Sequence, residues 1–264
     1  VTSHLLQRGI PTPILLQTRD AEHHVVDPEG AVWRALSWID GRTHHRVPGP
    51  REAAAAAAFI ARWHRALTDF SQGFRHVRLG VHDTHGHMTR LTQILVSGGS
   101  HRLFSQVEPV ACEVLARWAD WEGSTELPER VCHGDLKISN LLFQDDGHPA
   151  ALVDLDTLGR MGLDAELGDA WRSWCNQSTE DQEEAVFDLD IFEASARAYL
   201  AEHTIEQDER EALPGGVERI CLELAARFAV DAIEERYFGW SDAVAAGRVS
   251  RPWPATPTGS WPPC

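Results

Sequence analysis

The 264 residues carry 24 basic and 40 acidic side chains, a formal net charge of −16, which sets aside duplex nucleic-acid binders with their basic faces. Hydrophobic residues make up 43% and charged residues 24%, the balance of a globular chain long enough to bury a sizeable core, and no apolar run reaches the ~18 residues of a membrane span. The five cysteines are odd in number and form no C-x-x-C pair, which argues against a disulfide framework or a structural zinc site and makes a reducing cytoplasm the expected location.

The chain begins with Val1-Thr2-Ser3-His4 rather than Met, and that start lacks the basic and apolar segments of a secretory signal. Residues 1–8 read as the end of a helix, stopped by Gly9 and Pro11. Two strand-like runs follow, 14–17 and 31–36, and the turn signal Asp27-Pro28-Glu29-Gly30 predicts a hairpin between them. Residues 37–41 then leave the strand. Residues 51–67 predict a strong helix: an alanine run favours it, and Phe59, Ile60, Trp63 and Leu67 make one apolar stripe. A polar stretch, 68–87, separates it from further helices expected near 107–121, 181–203 and 217–237. The tail 251–264 holds five prolines and predicts an extended or disordered segment.

One further hairpin interrupts the helical body. Leu141-Leu142-Phe143 and Ala151-Leu152-Val153 are short apolar strands, and Asp145-Asp146-Gly147 between them is a turn signal. Antiparallel pairing brings Asn140, at the start of the first strand, and Asp154, at the end of the second, to the same end. Asp135 lies one loop away. Magnesium prefers hard oxygen ligands, so Asn140 and Asp154 suit a metal site. Asp156 is either a third ligand or a structural hydrogen-bond acceptor. Asp135 is placed to accept the proton of an attacking hydroxyl, and Lys137 to neutralise charge on a transferring phosphoryl group. An Asp followed five residues later by Asn, with a metal-binding Asp beyond a hairpin, is the kinase catalytic-loop pattern. His133-Gly134-Asp135 points to its aminoglycoside-phosphotransferase-like branch. Asp145 and Asp146 read as solvated turn residues. The segment 82–87, with three histidines, reads as a polar loop or, less simply, a metal cluster.

From these residues outward the chain resembles the N-acetylhexosamine 1-kinases of the aminoglycoside phosphotransferase superfamily. Trp33-Arg34 and Trp38-Ile39-Asp40-Gly41 resemble that family's adenine-side strand and hinge. Trp63-His64-Arg65-Ala66-Leu67, Gly168-Asp169-Ala170-Trp171-Arg172, and Arg227-Phe228 followed by Tyr237-Phe238 resemble further family segments. The resemblance implies a protein-kinase-like α+β fold of two lobes, with Mg2+ and ATP as cofactor and donor and a small-molecule hydroxyl, such as a sugar's, as acceptor. It implies a base at Asp135, metal ligands at Asn140 and Asp154, nucleotide contacts at Ser37, Trp38 and Ile39, and structural roles for His133 and Asp169, the latter bracing the catalytic loop. Arg172, Arg227 and Tyr237 become candidates for the acceptor pocket; Arg227 is equally a surface salt bridge and Tyr237 equally core packing. The acidic balance serves solubility or favours a cationic acceptor such as an aminoglycoside or choline.

The family's nucleotide loop, basic strand residue and partner-bearing helix are absent here. The resemblance therefore implies an N-terminally incomplete chain: an N-lobe remnant at 1–36, a hinge at 37–41, a helical C-lobe at 42–250 and a tail at 251–264. A non-catalytic ligand-binding remnant is the alternative to an enzyme. Oligomeric state is not legible from the residues.

Overall fold

Residues 1–74, 77–178 and 186–235 are described by a computed structural model. In chain order its elements are α1 (Thr2–Gln7), β1 (Val25–Val26), β2 (Val32–Trp33), α2 (Pro50–Ala66), α3 (Thr84–Ser97), α4 (Phe104–Asp120), β3 (Arg130–Cys132), β4 (Leu141–Phe143), β5 (Pro149–Leu152), β6 (Gly159–Met161), α5 (Leu163–Trp174), α6 (Leu189–Glu202) and α7 (Gln207–Glu234). Contacts group the chain into two units. One comprises Val1–Arg78, Glu129–Arg160 and Leu189–Glu206; the other comprises Leu79–Pro128, Met161–Asp188 and the chain from Gln207. Among the described residues no helix is long and apolar enough to cross a membrane.

In the first unit α2 packs against α6. Pro50 opens α2 at a position where its missing N–H costs nothing, and Glu52 sits in the first turn, where the helix dipole favours an acid. Ala53, Ala56, Ala57, Ile60 and Trp63 are buried on one stripe, as the 3.6-residue period requires. Inside this contact the buried His64 Nδ1 and the Tyr199 hydroxyl are 2.9 Å apart. Tyr199→Phe keeps the ring and removes only the hydroxyl. It should therefore cost about 1 kcal/mol, read as a lower urea midpoint with an unchanged slope.

The first hairpin forms around the expected turn but with a different partner strand. Gly30 N–H donates to Asp27 O at 3.0 Å, and the Asp27 carboxylate accepts from Ala31 N–H and the Trp33 indole. Those bonds, the Trp33 one foremost, hold the Asp27 carboxyl below its usual range. So tight a turn pairs the residues flanking it, Val25 with Trp33 and Val26 with Val32. The run 14–17 meets the outgoing strand only further along, where Leu15 bridges Leu36.

In the second unit α3, α4 and α7 share a core of Met88, Leu91, Val107, Val110, Ala111, Val114, Leu222, Ala226 and Ala229. α3 starts inside the stretch read as polar. Asp83 caps it by accepting from Gly86 N–H at 2.9 Å. α5 was not foreseen: its residues from Leu163 to Trp171 are all buried, charged ones included, so no amphipathic period marks it. α7 begins ten residues before the expected 217 and runs through Pro214. Pro214-Gly215-Gly216 looks like a helix stop, but the glycine there serves packing. A Cβ on Gly216 would lie 2.1 Å from Asp164 O, and one on Gly168 would lie 2.4 Å from Gly216 O. α5 and α7 thus meet backbone to backbone.

Candidate active site

The β4–β5 hairpin builds the site in the first unit. Leu141 pairs with Leu152 and Leu142 with Ala151, and an irregularity then sets Phe143 opposite Pro149. Beyond the last pair, Val153 N–H donates to Asn140 O at 2.9 Å. That bond fixes Asn140 opposite Val153 and leaves Asp154 as the next residue, at the same end. Asp154 has φ +61° and ψ +57°, a left-handed conformation that Asp tolerates better than most residues. The chain then enters a 3-10 turn at Leu155–Thr157. Asp154 and Asp156 both reach solvent, because this turn swings them away from the strand.

The loop from β3 carries the other groups. Gly134 has φ +81°, a conformation that favours glycine between His133 and Asp135. His133 is fully buried. Its Nε2 lies 2.9 Å from Val153 O, and its Nδ1 lies 3.3 Å from Asp135 N. A carbonyl can only accept and a backbone N–H can only donate, so both bonds form with the neutral Nε2–H tautomer. The imidazole thereby links the backbone of Asp135 to the strand that delivers Asp154. The Asn140 amide donates through Nδ2 to Asp135 O at 2.8 Å and to Asp135 Oδ2 at 3.3 Å. Lys137 Nζ lies 2.8 Å from that same carboxylate oxygen.

This donor set fits a hard divalent cation. With Nδ2 committed to Asp135, the atom of Asn140 left for a metal is Oδ1, an oxygen. Among the described residues the Asp154 carboxylate has no hydrogen-bond or ion-pair partner. Two oxygen donors at a hairpin end, completed by water and phosphate, are what magnesium takes. Asp156 is differently engaged: its carboxylate pairs with the Arg34 guanidinium, both side chains being about half exposed. Nothing local in the sequence announces that pair, whose members stand 122 positions apart.

The remaining candidates are placed as follows. Ser37 N–H donates to Ile14 O at 2.8 Å, and its hydroxyl accepts from Ile14 N–H at 3.0 Å. Trp38 is 85% exposed, its indole bonded to Asp40 Oδ1 at 2.9 Å. Ile39 is half-buried. The segment is stitched to β4, since Arg42 and Phe143 exchange N–H···O bonds of 2.8 Å in both directions. Gly41 allows that approach: a Cβ there would lie 2.9 Å from Leu142 Cβ. In the second unit the buried Asp169 accepts from Arg172 Nη2 at 2.9 Å, and Arg227 Nη1 lies 3.9 Å from Glu223 Oε1. Tyr237 and the tail 251–264 lie outside the described residues.

Residues 1–203 match the phosphotransferase enzyme family, and the chain belongs to it. A homoserine kinase of Bradyrhizobium sp. (strain BTAi1 / ATCC BAA-1182) is 29% identical over 227 residues, covering 80% of this chain. The chain spans 60% of the length of that curated relative. An aminoglycoside phosphotransferase from Alicyclobacillus acidocaldarius superposes with a TM-score of 0.59 at 18% identity, over 92% of this chain and 74% of that one. The amicoumacin kinase hAmiN, in complex with AMP-PNP, Ca2+ and amicoumacin, does so with a TM-score of 0.60 at 12% identity, over 94% and 72%. A choline/ethanolamine kinase family protein from Mesorhizobium loti gives 0.53 at 18%, over 94% and 75%. At these identities the likeness establishes a shared fold, mixed helix and sheet with a mostly helical C-terminal part.

Proposed function

We propose that this chain transfers the γ-phosphoryl group of ATP to a hydroxyl of a small molecule, with Asp135 as the base. One observation carries the reading. The Asn140 side chain holds both oxygens of the Asp135 residue it contacts, while its own backbone oxygen holds the strand that delivers Asp154. Asp135 accepts the acceptor's hydroxyl proton as that oxygen attacks the γ-phosphorus, and the bond to the β-phosphate oxygen breaks to release ADP. Lys137 starts on Asp135 and follows the charge as it moves to the phosphoryl group. Asn140 and Asp154 would hold magnesium, which would supply positive charge to offset that of the transferring phosphate. Arg34 on Asp156 favours the acceptor role for that carboxylate over the metal role. Ser37, Trp38 and Ile39 take the nucleotide side.

The first reading of the acceptor is a sugar such as an N-acetylhexosamine, which follows from the motif resemblances. A second reading, a hydroxyl on an amine-bearing molecule, is favoured by the homoserine kinase relative and by the net charge of −16. A panel of N-acetylhexosamines, homoserine, choline and aminoglycosides, read by magnesium-dependent ADP release, separates them. Turnover with the hexosamines is the expected result. Turnover confined to the amines replaces the sugar reading, and ATP binding without transfer to any acceptor removes the enzyme reading.

A further inference from the structure

We propose that His82 and Glu223 form a proton-dependent clasp, which holds the segment before α3 against α7 and releases it when the imidazole loses its proton. The clasp belongs to the second unit and leaves Asp135, Lys137, Asn140 and Asp154 untouched.

The geometry is that of a held strain. His82 has φ +54°, left-handed backbone that a non-glycine residue occupies only when its surroundings compel it. Its side chain, 7% exposed, reaches Glu223 on α7, which is 1% exposed, with Nδ1 and Oε1 3.3 Å apart. Two further ties converge there. The Thr84 hydroxyl donates to Glu223 Oε2 at 2.7 Å, and Arg219 donates to His82 O at 3.3 Å and to Thr84 Oγ1 at 3.0 Å. The other ring nitrogen, Nε2, is buried with no hydrogen-bond partner. An imidazole this enclosed keeps its proton only if carboxylates balance the charge. They come from two helices: Glu223 on α7, and Glu166 and Asp169 on α5. Of the other charged groups, Arg219 on α7 donates to His82 O, Arg227 on α7 lies 3.9 Å from Glu223, and His87 on α3 acts on Glu223. Asp164 is occupied by Arg219 at 2.7 Å and Asp169 by Arg172.

The titration follows in sign. Burial alone pulls the His82 pKa down, but the Glu223 hydrogen bond and the charges of Asp169, Glu223 and Glu166 outweigh it, so it stands above the ordinary 6.5. Burial likewise pushes Glu223 up, yet its bond and charge attraction to His82, the Thr84 hydroxyl and the charge of His87 bring it below the ordinary 4.5. The folded chain thus holds the His82 proton more tightly than the unfolded chain does. That contribution is complete below the ordinary imidazole value and is lost as pH rises through the folded one. Glu223's contribution is complete above its ordinary value and is lost in acid. Once neutral, the ring has only a weaker bond to Glu223 with which to hold the left-handed backbone, and the segment opens.

Amide hydrogen exchange of the full chain at about pH 6 and about pH 8.5, either side of the imidazole range, tests this. After correction for base-catalysed intrinsic exchange, protection of 77–87 should be several-fold lower at the higher pH. His82→Asn, which tolerates left-handed backbone but does not titrate, should abolish that dependence, as should Glu223→Gln. Protection that is flat with pH in the unaltered protein, or equally pH-dependent in H82N, overturns the clasp. Should either variant fold poorly, NMR titration of the His82 ring decides alone: a pKa above 6.5 supports the clasp, and one at or below it overturns it.

Discussion

Asp135→Asn is expected to lower turnover roughly 10²–10⁴-fold, the usual contribution of a positioned general base. The substitution is close to isosteric. An asparagine oxygen at this place can still accept from Asn140 Nδ2, which now lies 3.3 Å from Oδ2, and the 2.8 Å bond from that amide to Asp135 O involves only backbone. What disappears is the capacity to take a proton and the attraction to Lys137. The Lys137 and Asp135 side chains are 48% and 27% exposed, so the lost pair costs about 0–1 kcal/mol of stability. The urea midpoint should therefore barely move while kcat collapses. KM for ATP should hold, because the base role proposed for Asp135 concerns the acceptor's proton and not the nucleotide. Turnover equal to that of the unaltered chain would remove Asp135 from the base role. Equal losses of kcat and of stability would recast it as a structural acceptor.

How much of this was legible in the residues depended on range. The β4–β5 hairpin was readable because two apolar triplets flank Asp145-Asp146-Gly147, and the pairing of Leu141 with Leu152 then brings Asn140 and Asp154 to one end. α2 was readable because its stripe is amphipathic. The first hairpin misled because Val25-Val26 is only two residues long, too short to stand out as a strand, so the partner was sought at 14–17. α5 carried no period, being buried on every side. The pairs that lock the structure over distance had no local signature: Arg34 with Asp156, and His82 with Glu223, 141 positions apart. His82 lies in the very segment read as a polar loop. There a buried counter-charge, Glu223, meets the histidine.

Adjacent glycines on α7 should respond to the same substitution with opposite signs. In a helix interior alanine is favoured over glycine by about 1 kcal/mol, so Gly215→Ala and Gly216→Ala start from the same expected gain. At Gly215 the nearest atom to a new Cβ is Trp121 Nε1 at 3.6 Å, an ordinary van der Waals contact, and up to about 1 kcal/mol of that gain should survive. At Gly216 the new carbon would stand 2.1 Å from Asp164 O, 2.7 Å from its carbonyl carbon and 3.0 Å from its Cα. Those are backbone atoms of α5, and no rotamer change relieves them. α5 and α7 must part, which loosens contacts along both helices and disturbs the Asp164 carboxylate that Arg219 Nη1 meets at 2.7 Å. Overpacking of this kind costs about 1–3 kcal/mol or more. For a chain of this size each kcal/mol moves Tm by roughly 2–4 °C. Calorimetry of the two variants should thus show Tm rising slightly for G215A and falling by several degrees for G216A. Shifts of the same sign would mean that the two helices do not cross at these glycines.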